Sequence, residues 1–184
     1  MNTLYIIIAV IVVLALWVIF TYNRLISLKN RSKEAFSDIE VQLKRRYNLI
    51  PNLVKTVQGY ATHEKGVLER VTQARTQAMG AQGMHDKAEA ENMLSQTLKS
   101  LFAVSENYPD LKASANFLEL QQELRDTEDK IQAARRFYNT NVMALNTRLQ
   151  SFPVNTVAGT LGFKTLEFFE IEESEQREVP KVSF

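Results

Sequence analysis

The sequence predicts an all-α protein: an N-terminal transmembrane helix that continues into an antiparallel four-helix bundle, followed by an irregular, acidic C-terminal tail. Three observations carry that prediction. The first fifty residues contain neither glycine nor proline, and every residue from Leu4 to Phe20 is apolar. Apolar residues then recur at three-and-four spacing along each long segment, the signature of a one-sided helix. Glycine and proline gather between those segments, at 80, 83, 109, 153, 159 and 162 among others, and leave 110–152 without either.

The first element is the span. At about 1.5 Å per residue, Leu4 to Tyr22 covers roughly 28 Å, close to the hydrocarbon thickness of a bilayer. Backbone groups in lipid must bond within their own segment, so the span is a helix, assigned to residues 1–23. A cleaved signal peptide is disfavoured. The segment ahead of the apolar run lacks Lys and Arg, the run is too long, and Phe-Thr-Tyr-Asn-Arg follows it in place of a small-residue cleavage site. Arg24, Lys29, Arg31 and Lys33 follow the span, and the positive-inside rule puts the soluble part in the cytoplasm. Spans with short N-tails also insert the other way, so the opposite orientation stays open.

Residues 24–152 read as the bundle. In its first helix Leu25, Leu28, Ser32, Phe36, Ile39, Leu43 and Ile50 share one face, with a stop expected near Asn48 and a new helix opening at Pro51. The second carries Leu53, Val57, Tyr60, Val67, Val71, Ala74 and Ala78, weakened at Gly59 and Gly66. Gly80 to Gly83 breaks it. Asp86 to Glu89 has the form of a capping box for a third helix, with Met93, Leu94, Thr97, Leu98, Leu101 and Phe102 on its stripe. Tyr108-Pro109-Asp110 is the next turn. The fourth helix is the most regular, from Phe117 through Leu120, Leu124, Thr127, Ile131, Ala134, Tyr138, Val142 and Leu145 to Leu149, a coiled-coil-like seam. No such stripe is stable alone, and an antiparallel bundle buries all four. Residues 153–184 are irregular. Phe163 to Ile171 fits a short strand or helix, and residues 162–184 set six glutamates against Lys164, Arg177 and Lys181.

Composition excludes several chemistries. With no cysteine there is no disulfide, iron–sulfur or thiol chemistry, and a net charge of +1 gives no reason to expect nucleic acid as a partner. His63-Glu64 begins like a zinc-protease helix, but Val67 stands where the second histidine belongs. His63 and His85 read as surface and turn residues. Glu119 and Glu123 lie one turn apart with Glu128 beyond, and are more simply a solvated face than cation ligands. No catalytic, cofactor-binding or metal residue is assigned, and no cofactor is expected. The cluster Lys44-Arg45-Arg46 has three readings: a solvated or internally paired face, an anionic-lipid contact, or a nucleic-acid patch. Standing roughly 33 Å beyond the span if the helix is upright, it favours the first. Arg24 to Lys33 is the group placed for headgroups. Asn116, Gln122, Thr127, Asn139 and Asn146 near the seam set register or mark a self-association face, with register the simpler reading. Phe168-Phe169 and Phe184 either pack back or form a docking motif.

Longer blocks carry a resemblance. Glu34-Ala35-Phe36-Ser37-Asp38-Ile39, Val41-Gln42-Leu43-Lys44-Arg45-Arg46-Tyr47, Leu49-Ile50-Pro51-Asn52-Leu53-Val54, Gly59-Tyr60-Ala61 with His63-Glu64, and Glu106-Asn107-Tyr108-Pro109-Asp110-Leu111 resemble the LemA family. So do Asn116-Phe117, Tyr138-Asn139, Phe152-Pro153 and Gly162-Phe163. The chain departs from that pattern at Asp129, where Asn is usual, and at Phe36, where Trp is usual. The resemblance implies a bacterial single-span membrane protein with a helical soluble part, and brings no catalytic site. It also implies a loose link with envelope stress and membrane metallopeptidases. The function expected is a non-enzymatic, membrane-anchored scaffold or adaptor, with lipid, a second copy or another envelope protein as partner. The alternative is a signal transducer acting through the first helix.

Overall fold

A computed structural model describes residues 2–169; the acidic stretch Glu172–Phe184 and the terminal Phe184 lie outside them. The described residues are helical, with no strand. The helices are α1 (Asn2–Tyr60), α2 (Lys65–Gly80), α3 (Met84–Ser105), α4 (Pro109–Lys112) and α5 (Ala115–Gln150), followed by a short 3-10 turn (Val154–Thr156). Contacts divide the chain into two compact units, Met1–Ile39 with Ala133–Phe168, and Glu40–Gln132 with Phe169–Phe184.

In the first unit, residues 3–16 of α1 are exposed along every face, and the protein's own cover begins at Trp17 and Val18. Beyond them Leu25 and Leu28 pack with Leu145 and Leu149 of α5, and with Val154, Ala158 and Phe163 from the segment that follows it. Phe36 meets Tyr138 with ring centroids 5.8 Å apart. Gly162 sits at φ +78, a conformation open to a residue without Cβ, and lets the Phe163 amide reach back to the Ala158 carbonyl at 3.0 Å. The chain then runs along α5 without regular secondary structure over residues 163–169, so the expected strand or helix does not form there. Asn146 clamps it: the side-chain amide donates to the Leu166 carbonyl at 2.8 Å, and its oxygen accepts from the Leu166 amide at 2.9 Å.

The second unit has one continuous apolar core. Ile50, Leu53 and Val57 of α1, Val67 to Ala78 of α2, Leu94, Leu98 and Leu101 of α3, Leu111 of α4, and Phe117 and Leu124 of α5 all enter it. Four sequence expectations change here. No helix ends at Asn48: α1 runs through Pro51 to Tyr60 and breaks at 61–64. Proline withholds the amide that would bond to the Tyr47 carbonyl, and Arg75 of α2 takes its place, its Nε donating to that oxygen at 2.8 Å. The Asp86–Glu89 capping box is not used. Helix α3 opens at Met84 behind Gly83 at φ +86, leaving Asp86 in the first turn, where its charge suits the helix dipole. The Tyr108–Asp110 turn becomes α4, with Pro109 at its first position. Tyr60 and Met93, expected on the apolar stripes, are exposed. Tyr108 donates to Glu64 at 3.0 Å, and that bond, followed by burial and the Glu64 charge, raises its hydroxyl pKa above 10.0.

Candidate functional site

Polar groups converge inside the second unit on Arg46. It occupies the step between Leu43 and Ile50 on the buried stripe of α1, and its side chain is wholly enclosed. One terminal nitrogen donates to Glu91 of α3 twice, to Oε2 at 2.6 Å and to the backbone carbonyl at 3.1 Å. The other donates to Ser95 Oγ at 3.0 Å and to Glu128 Oε2 of α5. Tyr47 donates its hydroxyl to the second Glu91 oxygen. Glu91 is fully buried while Glu128 is about a third exposed. One guanidinium therefore ties α1, α3 and α5 together. Charge-assisted, forked bonds of this kind offset the cost of taking such groups out of water.

Beside the network is a cavity of about 330 Å³, walled by Leu98, Phe102 and Leu124 and edged by Lys99 and Arg125. Arg46 lines it, and the Arg46 Nε–H is buried with no acceptor. The walls offer apolar contact and cationic edges, and Ser95 and Glu128 complete the lining, the Ser95 hydroxyl donating to Glu128 Oε1 at 3.4 Å.

The polar residues that the sequence singles out scatter over the structure. Of the basic cluster, Lys44 is exposed, Arg45 faces the half-exposed Glu123 at 3.7 Å, and Arg46 is internally paired. Glu119 is exposed, and Glu123 and Glu128 belong to different arginines, so the three do not form one ligand set. Among the described residues no three His, Cys, Asp or Glu gather in a way that would hold a metal ion. His63 and His85 are exposed. Of the polar seam residues, Thr127 is buried and bonds within its helix, Asn146 clamps Leu166, and Asn116 and Gln122 face out. Phe169 is buried, and Phe168 is partly exposed. Periodicity and motif spacing do not single out the Arg46–Glu91 network, although a signal for it is present. Arg46 and Glu91 are charged residues in register with apolar stripes, at Leu43–Arg46–Ile50 and Ala88–Glu91–Leu94.

A helix of this length and apolar composition is able to cross a membrane. Together with the helical core, it defines the class as a membrane-associated helical protein. The chain belongs to the LemA family, whose family model matches residues 35–184. It is similar to Protein LemA of Metamycoplasma hominis, 28% identical over 158 residues, covering 85% of this chain and 72% of that protein. It is also similar to Magnetosome protein MamQ 2 of Paramagnetospirillum magneticum, 25% identical, and to Magnetosome protein MamQ of Magnetospirillum gryphiswaldense, 24% identical. The matches cover 81% and 80% of this chain, and the chain spans 64% of each magnetosome protein's length.

Proposed function

We propose that the protein is a non-enzymatic scaffold or adaptor of the bacterial envelope, held at the inner membrane by α1 and associating with itself or with another envelope protein. In this reading the helices beyond residue 24 work as one antiparallel four-helix bundle on the cytoplasmic side. One observation carries it: α1 is a single helix from Asn2 to Tyr60, bare and apolar over residues 3–16 and built into a charge-locked core around Arg46. A stiff anchor suits a part that positions other proteins. Cross-linking in native membranes is expected to trap discrete oligomers or one recurrent partner. Monomers alone, at every concentration, would overturn the proposal. Reporter fusions at both termini test the orientation.

The same helix supports a second reading, a transducer in which a tilt or twist of the span passes along α1. Two glycines inserted after Ser27 would uncouple such a device and abolish an envelope-stress response. A pure scaffold would tolerate them.

A further inference from the structure

The chain from Leu149 to Phe163 contains no charged residue, and Arg148 and Lys164 stand at its two ends. Both cations are exposed, as is Arg24. The segment folds into a compact cap. Its Val154, Ala158 and Phe163 are buried with Leu25 and Leu28 of α1, while Trp17 and Leu161 pack partly against the same cluster. Tyr22 sets its ring edge-on to Phe163 at 5.6 Å.

The level of this cap matters. The apolar run of α1 ends at Phe20, and the cap's cluster reaches back to Trp17. Three residues at about 1.5 Å each put the edge of the cap roughly 5 Å inside the apolar run. That is the depth at which interfacial segments bury their apolar side, between headgroups and acyl chains. Within the cap Phe152 is 81% exposed, more than any other large apolar side chain among the described residues. Uncharged backbone, an outward phenylalanine, neighbouring Trp17 and Tyr22, and flanking cations form the pattern of a lipid interface rather than a watered loop.

We propose that the Leu149–Phe163 cap is a second membrane contact, with Phe152 inserted at the headgroup–acyl boundary while Arg24, Arg148 and Lys164 meet anionic headgroups. The proposal rests on the reading of α1 as a span. It gives this end of the first unit two attachments to the bilayer.

Trp17 is the chain's sole tryptophan, which makes the test direct. The full chain is reconstituted into phosphatidylcholine–phosphatidylglycerol vesicles carrying bromine either near the carbonyl end or near the methyl end of the acyl chains. The wild-type protein reports on Trp17, and the double variant Trp17→Phe/Phe152→Trp reports on position 152. Emission from position 152 is expected to fall by about half with the shallow bromines, the depth expected of an interfacial side chain, with less quenching from the deep ones and little from aqueous acrylamide. Quenching of Trp17 by lipid with none at position 152, and free access of acrylamide there, would overturn the proposal. Position 152 shielded from both bromine and acrylamide would also overturn it, pointing to a second copy of the chain as the cover. No lipid quenching of Trp17 would remove the span and the cap proposal with it.

Discussion

Enclosing a guanidinium between a buried carboxylate and a partly exposed one strips water from the arginine and its buried partner, and the arrangement is tolerable only while the two stay paired. Arg46 is fully enclosed, so replacing it strands Glu91 as a buried, uncompensated charge. Arg46→Met is expected to cost about 3–5 kcal/mol in urea unfolding, with partial recovery when Glu91→Leu is added. Arg45→Ala is the contrast. Its pairing with Glu123 is long and half solvated, and its loss is expected to change stability by about 0.5 kcal/mol or less. Tyr138 supplies a pH prediction. Its hydroxyl donates to the Glu167 carbonyl at 2.9 Å, and burial first, then the Glu167 charge, raise its pKa above 10.0. The native state therefore keeps a proton that the unfolded chain releases. This contribution is complete below about pH 10 and is lost as pH rises through the higher native value. Melting curves of Tyr138→Phe should show a shallower alkaline decline than those of wild type. Tyr108, shifted in the same direction, leaves part of the slope in place.

The stripes of α1 and α5 were legible from spacing, because burial on a helix repeats every three or four residues wherever the helix goes. Of the ten seam positions from Phe117 to Leu149, eight are buried and Leu120 and Ala134 are half-buried. Element ends were less legible. Pro51 reads locally as a start signal, but whether a helix stops there depends on what becomes of the Tyr47 carbonyl, and its donor, Arg75, is 28 residues away. Arg75→Leu is expected to cost about 1–3 kcal/mol, the penalty for leaving a partly buried carbonyl unpaired. In a Pro51→Ala background the helix amide returns, and the same change should cost only about a few tenths of that range. A double-mutant cycle by chemical denaturation measures the difference. Equal costs in both backgrounds would mean that the Arg75 bond does not compensate for the proline.

At the scale of the whole molecule, an apolar stretch able to cross a membrane is distinct from the parts that the protein's own side chains cover. Residues 3–16 are exposed on every face, and packing begins at Trp17. Deleting residues 2–16 is expected to leave thermal stability within about 0.5 kcal/mol of wild type, while moving the protein from the detergent phase to the aqueous phase in a cloud-point partition. A large loss of stability would place structural contacts in that stretch. Composition and periodicity alone determined that the chain is helical, that one apolar segment is long enough for a bilayer, and which faces turn inward. Those are local properties, set by a residue and its neighbours within a turn or two. Only the tertiary structure decided that α1 passes through Pro51, that Arg46 is locked within a core rather than facing water, and that Asn146 holds the chain after Gly162. Each of those outcomes depends on a hydrogen-bond partner that is distant in sequence, and a buried polar group is tolerated only where folding supplies that partner.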